Sequence, residues 1–115
     1  MRNKIIYLPQ SMYQKVKDKE KTIVVRPLSD RLIVREYDWV PIVFNGTDDN
    51  VMVEIDKIRY VLFRDLTDNL ARKCGYGDVK ELKHVLLEKY HALDNGSRLY
   101  LYEFIVVAVS EKVGE

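Results

Sequence analysis

The sequence has a single cysteine, Cys74, among its 115 residues, so an internal disulfide is excluded. A reducing compartment fits this composition best, and we expect a cytoplasmic protein. Long hydrophobic runs are also lacking. The apolar run at residues 5–8 is too short for a signal peptide, and no run reaches the length of a membrane span. The expected partners therefore do not include a membrane.

Metal-binding and phosphate-loop patterns are missing as well. His84 and His91 have no ligand spacing with each other or with Cys74. The sequence contains no glycine-rich phosphate loop and no Ser-His-Asp pattern. It therefore predicts no metal site and no cofactor, and both histidines are expected at the surface or at helix ends.

The composition that is present indicates one soluble domain spanning residues 1–115. Hydrophobic residues make up 47% and charged residues 32%, which suffices for a core without metals or disulfides. The net charge is +1, but the first 35 residues hold nine basic and three acidic side chains, a net charge of +6. This basic third forms either one positive face for a polyanion or a solvated helix end.

Hydrophobic patterning predicts several strands and two later helices. Strands are expected at residues 4–8, 22–26, 32–35, 39–44, 51–63 with a bend or turn at Asp56 and Lys57, and 99–109. The last strand is expected either to be buried on both faces or to close a barrel that helices cover. The turn formers at residues 45–50 predict a hairpin. Pro9 is expected to open a short helix. Because the strands are consecutive and the helices separate from them, we predict an α+β barrel of about six strands.

Capping residues mark the start of the two later helices. Thr67 is a suitable N-cap for a short helix that ends at Gly75. Asp78 precedes the next helix, with Glu81 placed as in a capping box. Val79, Leu82, Leu86 and Tyr90 form the apolar stripe of that helix, and we expect Leu82 and Leu86 to pack on the barrel.

Short segments in a fixed order resemble the ASCH family. They are residues 21–26 (KTIVVR), residues 66–68 with Ala71 (LTD and A), residues 81–83 (ELK) with Tyr90, and residues 102–104 (YEF). The first is similar to that family's K-T-x-T-x-R strand. The resemblance runs from about Tyr13 to Val107. It implies a PUA-like β-barrel with flanking helices, close to that of RNA-modification modules.

Some ASCH relatives are small amidohydrolases that remove the acetyl group of acetylcytidine. The resemblance places their catalytic Lys at Lys21, their Thr at Val24 and their Glu at Cys74. Valine has no hydroxyl and a thiol does not replace a carboxylate base, so this activity is not expected. Cys74 is expected as an inert packed residue. Two family glycines correspond here to Lys19 and Tyr37.

Ligand contacts are expected in a cleft near Lys21. The candidate binding residues are Lys21, Thr22, Arg26, Asp38 and Trp39. An ammonium at Lys21 would hold a phosphate or a base carbonyl, and Trp39 would stack on a base unless it packs in the core. Strand alternation predicts opposite faces for Lys21 and Arg26.

Three functions remain open from the sequence. The leading hypothesis is an RNA- or nucleotide-binding module with its cleft near Lys21. The alternative is a small hydrolase of the ASCH family, either a nucleoside amidohydrolase or a ribonuclease. A regulatory interaction protein with no nucleic-acid role is the third. The expected partner under the leading hypothesis is RNA, a nucleotide or a nucleoside.

Overall fold

The computed structural model describes residues 4–110, which form five strands and three α-helices. The strands are β1 (Ile6–Leu8), β2 (Ile23–Pro27), β3 (Trp39–Phe44), β4 (Asn50–Leu62) and β5 (Arg98–Ser110). The α-helices are α1 (Tyr13–Lys17), α2 (Asp68–Lys73) and α3 (Val79–Lys89). Short 3-10 turns lie at Gln10–Met12, Leu28–Asp30 and Phe63–Asp65.

All five strands belong to one mixed sheet in the order β1-β3-β4-β5-β2. The pairing of β1 with β3 is parallel and the other three pairings are antiparallel. The sheet curls into a half-barrel, and within residues 4–110 no strand ladder joins β1 to β2. The architecture confirms the predicted α+β class. The expected closed barrel of about six strands is corrected to an open one of five.

The missing strand is the one predicted at residues 32–35. That segment has no regular secondary structure, because other groups take its backbone hydrogen bonds. The Leu32 N–H donates to the Tyr102 hydroxyl at 3.0 Å, and that hydroxyl donates back to the Leu32 carbonyl at 3.3 Å. The Arg35 N–H donates to the Asp38 carboxylate at 2.8 Å. The strand prediction from the β-branched pattern is therefore wrong. Side chains, and not a neighbouring strand, take the backbone hydrogen bonds of this segment.

The long strand β4 bends where the sequence indicated. Its pairing with β5 shifts register between Ile55 and Lys57, which leaves Asp56 as the extra residue of a bulge. The preceding hairpin turn at residues 45–50 is also confirmed, with Gly46 at φ 83°. A bulge strengthens the local twist, and it helps the sheet to curl.

Strand β5 is buried on both faces only in its first half, which corrects the prediction for the whole strand. Leu101, Tyr102 and Phe104 are buried, whereas Ile105 and Val109 are exposed. The reason is that β2 stops pairing at Ile23, opposite Glu103, so the second half of β5 has lost its neighbour on that side.

Two hydrophobic cores lie on opposite sides of β2, because its side chains alternate. Val24 belongs to the first core, which fills the inside of the curled sheet with Phe44 and Tyr102. Val25 belongs to the second core, which lies under the helices. Leu82 and Leu86 of α3 are buried in that second core, as their stripe predicted.

The two later helices begin at the predicted caps. The Thr67 hydroxyl accepts from the Leu70 N–H at 3.2 Å, and the Asp78 carboxylate accepts from the Glu81 N–H at 2.9 Å. The Glu81 carboxylate accepts in turn from the Gly77 N–H at 2.7 Å, one residue before the N-cap. Each bond satisfies a donor that the helix leaves free.

Within residues 4–110, two residues other than glycine adopt the left-handed backbone region. They are Lys19 (φ 65°) and Tyr37 (φ 75°). These are the positions that correspond to glycines in the ASCH resemblance. A residue with a Cβ atom destabilises the fold by about 1–2 kcal/mol when its backbone is in this region. Both side chains are exposed, so little packing offsets that cost.

Replacing either residue by glycine is therefore expected to stabilise the fold. Lys19→Gly should raise the free energy of unfolding by about 1 kcal/mol and Tm by about 4 °C, because glycine adopts positive φ without strain. Thermal or urea unfolding measures the change. The matched control is Lys19→Ala, which removes the same side chain but keeps Cβ. Equal stability of the alanine and glycine variants would contradict the prediction.

Candidate functional site

A cavity of about 120 Å³ lies at the open seam of the half-barrel, between β1, β2 and α3. Arg26 bridges the seam beside it. One guanidinium nitrogen, Nη2, donates to the Tyr7 carbonyl of β1 at 3.3 Å, and Nη1 donates to the Val25 carbonyl at 2.9 Å. The cavity lining comes from residues 7–9 and Met12, from Lys21, Val25 and Arg26, from Cys74 and Tyr76, and from Leu82, Val85, Leu86, Lys89 and Tyr90.

Lys21 is the buried cation of this cavity, with 4% of its surface exposed. Its Nζ donates to the Cys74 carbonyl at 2.6 Å and to the Ile23 carbonyl at 2.9 Å. The Cys74 carbonyl lies at the C-terminal end of α2, where helix carbonyls lack partners and the helix dipole favours a cation. An ammonium has three N–H donors, and these contacts use two.

Burial lowers the pKa of Lys21 from 10.5 to about 8. The nearby Cys74 acts in the opposite direction, while the positive charges of Arg26 and Lys15 lower the pKa further. The charged form still predominates at pH 7. A cation is thus kept in a desolvated place where its hydrogen bonds are stronger than in water.

Cys74 is 1% exposed and lies beside Lys21, in agreement with the expected packed cysteine. Burial raises the pKa of the thiol, and the positive charge of Lys21 only partly opposes that rise. The group therefore remains a thiol at neutral pH and does not supply a carboxylate-like base. The next residue, Gly75, has φ 95° and ends α2 as predicted.

Three tyrosines line the cavity: Tyr7, Tyr76 and Tyr90. Burial raises the pKa of both Tyr76 and Tyr90, so both keep their protons. The Tyr90 hydroxyl donates to the Asp30 carboxylate at 2.5 Å, which raises its pKa further. Sequence reasoning missed Tyr76 as a site residue. It placed Tyr90 only in the apolar stripe of α3, and that stripe was the signal that the ring faces the domain.

The structure brings Lys21 and Arg26 to the same cavity, which corrects the prediction of opposite faces. Lys21 lies two residues before β2 begins at Ile23, so strand alternation does not apply to it. Val24, at the position of the relatives' Thr, is 0% exposed and belongs to the first core. Its neighbour Val25 lines the cavity instead.

The other three predicted binding residues lie away from this cavity. Thr22 lines a second cavity of about 200 Å³ beside Phe104, and Lys21 lines that cavity too. The Asp38 carboxylate is engaged by the Arg35 N–H. Trp39 is 62% exposed, and its indole N–H donates to the Glu54 carboxylate at 3.0 Å. Of the five candidates, only Lys21 and Arg26 meet at the seam.

The described residues show neither a metal-ligand cluster nor a membrane-spanning helix. Residues 4–110 contain no group of three or more His, Cys, Asp or Glu side chains placed to hold a metal ion. Over the same residues no helix has the length and apolar character needed to cross a membrane. Both histidines are exposed, as expected, and His84 lies 3.4 Å from Glu88.

Comparison with known proteins shows the fold through solved structures. No protein-family model matches the chain, and a search of curated proteins finds no significant match. Similar solved structures include the following three. A DUF984 protein of Enterococcus faecalis has a TM-score of 0.71 at 13% identity, over 91% of this chain and 77% of that one. An ASCH domain of Lactobacillus crispatus has a TM-score of 0.61 at 14% identity, over 81% and 68%.

The third is the hypothetical protein PH0355, with a TM-score of 0.64 at 16% identity, over 89% of this chain and 96% of that one. At such identities the likeness shows the fold alone. The chain has the α+β, PUA-like architecture of these structures, one of which is an ASCH domain. The family resemblance in the sequence is thereby confirmed at the level of the fold.

Proposed function

We propose that this PUA-like domain is a binding module for single-stranded RNA or its nucleotides, and that the ligand enters the seam cavity. The observation that carries the proposal is the buried ammonium of Lys21, which keeps an N–H donor beyond its two backbone contacts. Charged hydrogen-bond donors in desolvated cavities are the groups that hold a phosphate oxygen or a base carbonyl.

The rest of the lining supports a nucleotide. Arg26 and Lys89 add positive charge, and Tyr76 and Tyr90 add aromatic rings with hydroxyls. No carboxylate belongs to the lining formed by the described residues. A fully enclosed small-molecule pocket has about 300–1,000 Å³. At about 120 Å³ this cavity takes one part of a nucleotide, and the remainder lies outside.

A binding role is proposed in preference to hydrolysis because of what lies beside Lys21. The position of the relatives' Thr is a buried valine of the first core, and the position of their Glu is a thiol. These residues leave Lys21 with the means to bind and polarise a carbonyl, but without a nucleophile or base at the matched positions.

The salt dependence of RNA binding tests this proposal. If Lys21, Arg26 and Lys89 neutralise phosphates, affinity for a short oligoribonucleotide should fall about tenfold between 50 and 200 mM salt, because released counterions oppose binding. Fluorescence anisotropy measures it. Arg26→Gln should reduce the slope of log affinity against log salt, whereas the exposed Arg64→Gln should leave it unchanged. Failure of RNA to associate at low salt would overturn the proposed function.

A further inference from the structure

We propose that a second nucleotide of single-stranded RNA binds in the groove on the other side of Tyr90. The site would then take at least two consecutive nucleotides, one at the seam cavity and one in this groove. This inference rests on the proposed function and adds the length of the ligand and the location of its second unit.

The groove has a volume of about 490 Å³ and shares one wall with the seam cavity. It is formed by residues 27–29 after β2, residues 90–93 after α3, and Ser97 and Arg98 at the start of β5. Tyr90 lines both the groove and the cavity. Its hydroxyl is held by the Asp30 carboxylate at 2.5 Å, so the tyrosine is anchored at the border between the two sites.

The chemistry of the groove suits a base and a phosphate. Pro27, Leu28 and Leu93 give it apolar walls, which suit the weakly hydrated flat face of a base. Tyr90 adds an aromatic ring. Stacking of bases on aromatic side chains is the usual means of holding a single strand without reading its sequence. The volume lies within the range of about 300–1,000 Å³ that small-molecule pockets have.

Arg98 supplies the positive charge. Its guanidinium lies 4.8 Å from the centre of the Tyr60 ring, which restrains it at the rim of the groove. A guanidinium stacked on a ring keeps its N–H edge available for a phosphate. Within the described residues, neither the groove nor the cavity is lined by a carboxylate, and cations lie at both. A negative charge lies behind the lining at the border, since the Asp30 carboxylate accepts from the Tyr90 hydroxyl, while the charged side chains in the lining itself are cations.

The test compares ligands of one and two nucleotides by isothermal titration calorimetry. The ligands are the four ribonucleoside 5′-monophosphates, the corresponding 5′-phosphorylated dinucleotides, and dinucleotides whose second residue is abasic. We expect a dinucleotide to bind about tenfold more tightly than its mononucleotide, since a second base stacks in the groove. The abasic dinucleotide should lose most of that gain.

Variants at the rim separate this inference from the proposed function. Arg98→Ala should reduce the gain on going from one to two nucleotides, while the affinity for a mononucleotide stays the same. Arg98→Lys keeps the charge and guards against a folding defect, and the exposed Arg64→Ala is the matched control. Mononucleotide binding with no gain for any dinucleotide overturns the second site alone. Absence of binding by every ligand overturns the proposed function as well.

Discussion

Replacing Lys21 by methionine should weaken the binding of a short oligoribonucleotide by about 100-fold. The change removes a charged N–H donor from a desolvated cavity, and hydrogen bonds to charged groups contribute about 1.5–3 kcal/mol. Anisotropy or calorimetry measures the loss. The matched control is Lys80→Met, because Lys80 is an exposed lysine of α3 and lines neither the cavity nor the groove. An unchanged affinity of the Lys21 variant would remove the central observation of the proposed function.

The same lysine gives the binding a defined pH dependence. With its pKa lowered to about 8, Lys21 loses its charge as the pH rises through that value, so affinity should fall between pH 7 and pH 9. Tyr76 and Tyr90 have raised pKa values and keep their protons over this range. Burial also lowers the pKa of Lys89, so Lys89→Met is tested in parallel. The Lys21 variant should show a flat profile, and Lys89→Met should not.

Loss of binding by Lys21→Met is not expected to reflect unfolding. The lowered pKa means that the folded state binds the proton less tightly than the unfolded state does. Burying the charged Lys21 therefore lowers the free energy of unfolding by its full amount below pH 8, and this destabilisation disappears as the pH rises towards 10.5. A shift from 10.5 to about 8 corresponds to roughly 3 kcal/mol. Methionine avoids that cost but leaves two buried carbonyls without the ammonium, and these effects oppose each other.

Local sequence patterns predicted the elements well where short-range chemistry decides them. The caps at Thr67 and Asp78, the stripe of α3 and the bulge at Asp56 all follow from neighbouring residues. The strand predicted at residues 32–35 failed because its partner is not local. Tyr102 lies 70 residues from Leu32, and its hydroxyl takes the hydrogen bonds that a strand would have needed.

The candidate site was predictable only in part, for a similar reason. Lys21 was found through the family resemblance, and the structure adds what the resemblance does not contain. Its main contact is the Cys74 carbonyl, 53 residues away, so no spacing in the sequence indicates it. Tyr76 reaches the cavity because α2 ends at Lys73 and the chain turns at Gly75, which has a positive φ. Trp39 was proposed for its chemistry, but alternation in β3 turns it to the outside of the sheet.

The positions that the ASCH resemblance singles out carry different chemical groups in this chain. Lys19 and Tyr37, which the resemblance aligns with glycines, adopt the left-handed backbone that glycine favours. Val24 and Cys74, which it aligns with Thr and Glu, are buried and offer neither a hydroxyl nor a carboxylate. The resemblance in sequence therefore does not extend to the reactive groups.

We expect this protein to show no detectable hydrolysis of acetylcytidine. The purified protein should release no cytidine above background, because nucleophile and base act as a unit. Losing either typically costs about 10⁴- to 10⁶-fold in kcat, and losing both costs little more. Single-turnover assays with protein in excess, followed by chromatography of cytidine, measure the rate. The variant Val24→Thr/Cys74→Glu is run beside the unmodified protein.

Thr22 and Glu103 are the two residues that could supply a nucleophile or a base in place of the missing pair. The structure argues against each. Thr22 does not line the seam cavity, and it shares the second cavity with Lys21. Among the described residues no carboxylate lines that second cavity, so Thr22 has no base beside it there. The Glu103 carboxylate is held by the Arg59 guanidinium at 3.0 Å. Nucleophilic attack needs the reacting atoms within about 3.5 Å. Turnover by the unmodified protein that disappears in Thr22→Ala would show that the nucleophile is Thr22, and the domain would then be a hydrolase rather than a binding module.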